Sequence, residues 1–407
     1  MSLEILRHPP SELMIERSER QRRDRRHALS ELAWLFLRLG ATAFGGPAAH
    51  IAIMEHEVVH RRGWLTRAQF LDLLGATNLI PGPNSTELAI HIGHARAGWP
   101  GLVVAGAAFI GPSTLIVGVI AWAYIRYGSL PAAAGLLYGV KPVVVAIVVQ
   151  ALWRLGALAL RSVELVVVGV AAAVALLTGI HELVVLVAAG AATAIARGMA
   201  SAARRASTVF GLGAGALIGS EASAATLAAA GGSAFGLWPL FLVFAKIGSV
   251  LFGSGYVLLA FLRADLVQRL GWLTEQQLLD ATAVGQVTPG PVFTTATFVG
   301  YVLGGPPGAV VATLGIFLPA FVFVALSGPL VPRLRRSPVA GAALDGVNAA
   351  SLAFMAVVVW QLGRAALVDS LAVALGGVAV VVLISTRLSS VWLIAAAGLV
   401  GWIAKSF

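Results

Sequence analysis

The sequence predicts an all-α fold: a polytopic helical membrane protein built from two inverted-topology repeats with broken or re-entrant helices. Three observations carry this expectation. Only 11% of the 407 residues are charged while 58% are hydrophobic, against about 25% charged in soluble domains. So few charges cannot clothe a water-facing surface, which all but removes a soluble enzyme. The apolar runs approach the roughly 20 residues that span a bilayer as helix, and they lack the period-two alternation of barrel strands. Finally, the chain matches itself at a shift of 208 residues, from Gly63-Trp64-Leu65-Thr66 to Gly271-Trp272-Leu273-Thr274.

Residues 1–30 form a polar segment expected on the cytoplasmic side. Through Glu31 it holds seven Arg and six acids, nearly balanced despite the cluster Arg22, Arg23, Arg25 and Arg26. It is too long and too acidic for the n-region of a cleavable signal. The first repeat, 31–196, has two interrupted segments, 32–54 and 70–94, followed by expected spans at 101–124, 136–153, 163–180 and 183–195. A linker, 197–236, carries Arg197, Arg204 and Arg205 and a weakly apolar stretch at 209–230, a candidate extra crossing against which Glu221 counts. The second repeat, 237–407, has interrupted segments at 238–262 and 278–303, then spans at 306–331, 342–361, 367–384 and 391–404.

The matches keep their order along both repeats. Phe36, Arg38, Gly40 and Phe44 answer to Phe244, Lys246, Gly248 and Phe252, and Pro81-Gly82-Pro83 to Pro289-Gly290-Pro291. Further on the shift becomes 207, pairing Pro112 with Pro319 and Trp153 with Trp360. Arginines give the orientation. After the Pro112 span the loop has only Arg126 and the next has Arg154 and Arg161; the second repeat reverses this, with Arg333, Arg335 and Arg336 followed by Arg364 alone. Under the positive-inside rule the repeats are upside down relative to each other. Inverted repeats with interrupted helices are the signature of alternating-access transporters.

A net charge of +10 invites nucleic acid as a partner, but the cations sit at the ends of apolar runs, where they set orientation and touch lipid phosphates. The expected partners are therefore the lipid bilayer and a small anion, with no nucleic acid; a homodimer is left open. There is no cysteine, hence no disulfide, iron-sulfur cluster or thiolate zinc site, and no cofactor is expected.

Pro81-Gly82-Pro83 cannot lie within a continuous helix, because proline lacks the N–H and clashes with the preceding turn. Pro83 is suited to start a new half-helix with Asn84, Ser85 and Thr86 in its first turn and their N–H groups unpaired. Pro291 would do the same ahead of Thr294 and Thr295. A helix N-terminus opened at mid-membrane depth offers convergent donors and partial positive charge, which suits a dehydrated oxyanion. A kink or an extramembrane turn is the plainer reading of one copy; two copies at matching positions weigh against it. Arg38 and Lys246 lie in apolar sequence at equivalent positions, either facing the substrate or snorkelling to the interface. Glu87, answered by Thr295, is a protonation site or a structural hydrogen-bonder.

Taken together, Phe44-Gly45-Gly46-Pro47 with His50, then Glu57, Trp64-Leu65, Phe70-Leu71-Asp72-Leu73 and Asn78-Leu79-Ile80-Pro81-Gly82-Pro83-Asn84-Ser85-Thr86 resemble the chromate ion transporter family of bacterial membrane proteins. The resemblance covers nearly the whole chain and matches the family's long two-domain form. It implies a multi-pass inner-membrane protein that exports chromate, with the isosteric sulfate as a second candidate, and it carries over Gly45, Gly46, Pro47, His50, Glu57, Trp64, Pro81, Gly82, Pro83, Pro289, Gly290 and Pro291. Glu57 and Glu87 are the expected coupling residues. The second repeat departs from the pattern with Leu258 in place of His50.

A rival from another class is an intramembrane zinc protease, since His56-Glu57-Val58-Val59-His60 fits HExxH. Against it, the motif lies in a basic, loop-like stretch, lacks an evident third ligand, and returns in the second repeat with only its acid, as Asp265. His91 and His94, one turn apart, are a weaker metal candidate, and no metal site is expected.

Overall fold

Proline and glycine set the main joints of this chain. The computed structural model describes residues 10–44, 46–128, 131–206, 235–252, 255, 257–335, 337–386, 388 and 390–406, and these carry helices and no strand. The first repeat contains α1 (Pro10–Thr42), α2 (Gly46–Glu55), α3 (Arg67–Thr77), α4 (Asn84–Tyr127), α5 (Pro131–Ala159), α6 (Val163–Leu177) and α7 (Glu182–Ala206). The second contains α8 (Leu237–Val250), α9 (Leu258–Leu262), α10 (Glu275–Val287), α11 (Thr295–Arg335), α12 (Pro338–Ala366), α13 (Ser370–Ser385) and α14 (Ser390–Ser406). The candidate extra crossing at 209–230 lies outside the described residues. The polar N-terminal segment is helical from Pro10 and runs on into α1 without a break.

Among the described residues four helices are long and apolar enough to cross a membrane: Asn84–Tyr127, Ala134–Ala157, Val292–Ser327 and Pro338–Ala366. Large apolar side chains such as Leu115, Val119, Val170, Leu314, Leu326 and Val381 stand exposed around the bundle, the surface a lipid-facing protein presents. The chain is therefore a multi-pass membrane protein.

The two longest helices are hairpins rather than rods. Ala97-Gly98 and Gly304-Gly305 leave helical geometry, with φ of +64° at Gly98 and +61° at Gly305. Thr297 and Thr313 hydroxyls meet at 2.8 Å, although 16 residues of straight helix would separate them by about 24 Å. In the first repeat Gly93 and Gly101 touch so closely that a Cβ on either would strike the other's carbonyl. A short arm (84–96) therefore folds back against a long one (98–127).

Polar contacts fix the two ends of the bundle. At one, here the near end, Arg96 pairs with Glu31 at 3.1 Å, and Arg62 and Arg96 lie over Trp64 at 5.0 and 5.2 Å. The long arm carries the chain to the far end, where Tyr124 donates to Asp280 of α10 at 2.9 Å. There Arg269 also pairs with Glu182 at the start of α7 at 3.1 Å. The segments around Glu57 and Asp265 are repeat equivalents, so the same structure occurs once at each end, in opposite orientation.

Candidate functional site

Helices α3 and α10 run toward the middle of the bundle from capping boxes, Thr66 with Gln69 and Thr274 with Gln277. Each stops at its Pro-Gly-Pro turn. Gly82 has φ +138° and Gly290 φ +83°, a region L side chains avoid. The two turns are buried apart from a half-buried Pro81. Gly82 N–H donates to Leu251 O at 2.8 Å, and Gly290 N–H donates to Ala43 O at 3.0 Å. Ala43 and Leu251 are themselves equivalent, at the broken ends of α1 and α8. Each turn therefore bonds to the interrupted helix of the other repeat, a reciprocal exchange that brings the sequence-predicted breaks to one interface.

Pro83 and Pro291 start the new helical segments as expected, each as the N-cap. The donor inventory needs correction. The Pro83 carbonyl accepts from both Thr86 N–H, at 2.7 Å, and Glu87 N–H, at 3.0 Å, because an N-cap carbonyl takes the first intrahelical bonds. Thr86 N–H is thus paired, leaving Asn84 and Ser85 as the leading donors of the first turn. Gly45 and its partners Gly253 and Ser254 lie outside the described residues, while Gly46 and Pro47 open α2.

The two half-helix starts differ in their polar chemistry. In the second repeat, Thr294 Oγ1 meets Ser113 Oγ of the opposite repeat at 2.9 Å, and the Thr295 hydroxyl donates to Val292 O at 2.8 Å. In the first repeat Ser113 is answered by Ala320, and the buried Thr86 Oγ1 has no partner. Glu87 is fully buried with both carboxyl oxygens unpartnered. His50, also buried, has its Nε2 at 3.0 Å from Ala43 O, its ring edge-on to Phe109, and its Nδ1 unpartnered. Such orphans are uncommon in folded interiors; Thr86 and Glu87 directly follow the first turn, and His50 touches the second through Ala43 O, which receives the Gly290 N–H.

A cleft adjoins the second turn, lined among others by Leu258, Thr282, Gln286, Val292 and Thr295. Their equivalents in the first repeat are His50, Leu74, Asn78, Asn84 and Glu87, and Asn84 there donates to Asn78 at 2.9 Å. The second-repeat cleft is thus less polar than the set of residues at the equivalent positions of the first repeat.

Arg38 and Lys246 do not stand alone. Arg38 pairs with Glu57 at 2.5 Å, and Lys246 with Asp265 at 2.5 Å. Glu57 also receives Arg61 at 3.0 Å and Arg62 at 3.3 Å, and Asp265 receives Arg269. This explains why the acid persists across the repeat while the HExxH histidines do not. The motif is a π-helical turn, His56–Arg61, rather than the expected loop. Its glutamate faces three arginines while His56 and His60 are exposed. Among the described residues no group of three or more His, Asp or Glu could hold a metal ion, and nothing supports the protease.

Sequence reasoning missed Ser113, and it missed a network that joins the repeats: Lys141 pairs with Asp280 at 3.2 Å and donates to Gln276 at 2.5 Å, beside Tyr124. In the sequence Lys141 is a cation inside an apolar run and Asp280 is the copy of Asp72 at the 208-residue shift. Their meeting depends on tertiary packing.

The chain matches the family model described as "Chromate transporter" over residues 30–195 and again over 238–402. It is 33% identical to a chromate transport protein of Cupriavidus metallidurans over 387 residues, covering 93% of this chain and 94% of that protein. A chromate transport protein of Pseudomonas aeruginosa is also 33% identical, with 90% of each chain covered. A probable chromate transport protein of Synechococcus elongatus is 32% identical, with 84% of this chain and 86% of the relative covered. No solved structure matches.

Proposed function

The chain belongs to the chromate transporter family, and from that premise we propose that it is a secondary transporter that exports chromate from the cytoplasm across the inner membrane. The observation that supports this most is the pair of Pro-Gly-Pro turns, buried where the repeats exchange backbone hydrogen bonds. The oxyanion is received at the half-helix starts: by the leading amides and side chains of Asn84, Ser85 and Thr86 with Asn78 and His50 in the first repeat, and by Thr294 and Thr295 in the second. Residues 31–196 and 237–407 act as the two moving repeats. Arg38 and Lys246 supply positive charge from the two ends, held between transport events by Glu57 and Asp265.

The near end is taken as cytoplasmic, because Arg61, Arg62, Arg96, Arg161 and Arg197 gather there with the N-terminal arginines. A dianion leaving an inside-negative cell gains about 4.6 kcal/mol per 100 mV, so the membrane potential alone can drive export. Chromate and sulfate flux into proteoliposomes under imposed potential tests the reading. Pro83→Ala and Arg38→Ala should each lower chromate flux several-fold while inserting normally. Wild-type flux in both would remove the assigned site; a sulfate preference would reassign the substrate.

A further inference from the structure

The second repeat shows that the fold does not need a carboxyl at the position of Glu87. Thr295 stands there and satisfies its own hydroxyl on the backbone. Glu87 instead keeps two unpartnered oxygens at zero exposure. Its carboxyl lies against the turn, so close that a Cβ on Gly82 would strike Oε1. Ile80, Ala320 and Val324 form the apolar cluster around that turn. No charged side chain among the described residues offsets this burial. An ionised carboxylate in such a place is very costly, a neutral one far less so.

The titratable groups nearest along the same helix are histidines. Glu87, His91 and His94 fall at i, i+4 and i+7, one stripe on the short arm. His91 is buried with Nε2 unpartnered, and His94 is exposed at the near end, edge-on to Trp99. From α2, His50 is the other buried titratable group near the site. In the second repeat Thr295 stands at the position of Glu87. The hairpin glycines Gly93 and Gly300 set the shift beyond it at 207, so His91 and His94 are answered by Phe298 and Tyr301, with neither a carboxyl nor an imidazole on the stripe.

We propose that Glu87 is the proton site of the transport cycle and that His91 and His94 connect it to water at the near end, so that each oxyanion crosses together with one proton. This rests on the chromate-transport reading above. A dianion bound beside the half-helix start repels a carboxylate packed on the same turn, so the loaded state requires the neutral carboxyl. When the anion leaves, the proton passes from the carboxyl to water. Thr295, Phe298 and Tyr301 offer neither a carboxyl nor an imidazole for such a step, so the coupling belongs to the first repeat.

Proteoliposomes with a trapped pH dye and a clamped potential test this. With wild-type protein, chromate running into the vesicle should acidify the lumen, and the reversal potential should report one net negative charge per chromate. In Glu87→Gln the acidification should vanish and the charge per chromate should rise to two, whatever the absolute rate. His91→Phe, which copies the second repeat, should slow proton movement several-fold. Infrared spectra of purified protein should show a neutral carboxyl band at pH 7 that is lost in Glu87→Thr, a check independent of flux. Proton movement that survives in Glu87→Gln, or wild-type flux that carries two charges, overturns the proton site alone. Wild-type vesicles that move no chromate overturn the transport reading and the proton site with it.

Discussion

At the start of its half-helix the first repeat buries Thr86, Glu87 and, one turn on, His91; the second buries Thr294, Thr295 and Phe298 at the same positions. The backbone plan is shared down to the capping boxes, the Pro-Gly-Pro turns and the φ values of the hairpin glycines. The second repeat pairs its polar atoms with Ser113 and with its own backbone, whereas the first leaves several without a partner. Duplication thus preserved the part that shapes the interface and let the chemistry diverge. An unpaired buried polar group costs stability, and its retention on one side only points to the side where work is done.

The comparison can be broken first at the ion pairs. Asp265 is 2% exposed and holds Lys246 and Arg269, while Glu57 holds three arginines, of which Arg38 is 40% exposed. Lys246→Ala, which strands a buried carboxylate with one cation, should cost about 3 kcal/mol. Arg38→Ala should cost only about 1 kcal/mol. Thermal unfolding in detergent reads both, and equal losses would show that the two clusters are interchangeable.

The turns provide the next test. A Cβ on Gly290 meets Ser113 Cβ at 2.8 Å and the Gly40 carbonyl at 2.9 Å, whereas at Gly82 the obstacle is the end of the Glu87 side chain, which can swing aside. Gly290→Ala should therefore destabilise by about 2 kcal/mol and Gly82→Ala by about 1 kcal/mol, with the reverse order contradicting the packing described. The smallest effect sharpens the comparison instead. Ala320→Ser should give Thr86 the partner that Ser113 gives Thr294, raising stability by up to about 1 kcal/mol, and Ser113→Ala should remove a similar amount. Stabilisation accompanied by lower chromate flux would tie the orphan hydroxyl of Thr86 to substrate.

Much of the fold was legible because its joints are made by residues with restricted backbones. Pro81-Gly82-Pro83 and its copy announce a break by proline chemistry, and the breaks stand where the sequence puts them. The ion pairs were half legible: Glu57 and Asp265 recur at the spacing of Arg38 and Lys246, yet the 19 residues between partners carry no local signal that the chain doubles back. The exchange of Gly82 and Gly290 bonds between repeats was not legible, because the same glycines could have bonded within their own repeat. Nor was the meeting of Ser113 and Thr294, 181 residues apart, which exists only because α4 crosses α11. HExxH misleads for a related reason. Its spacing fits zinc, but its glutamate is held by Arg61 and Arg62 beside it and by Arg38 from α1.

The crossed bonds from Gly82 to Leu251 and from Gly290 to Ala43 also bear on what half of this chain could do by itself. An isolated repeat would bury the amide of its Pro-Gly-Pro turn among its spans with nothing to receive it, a condition hydrocarbon does not tolerate. It could close that gap only by meeting a second copy inserted the other way up, so the stable unit is a pair of opposed repeats, whether encoded as one polypeptide or as two.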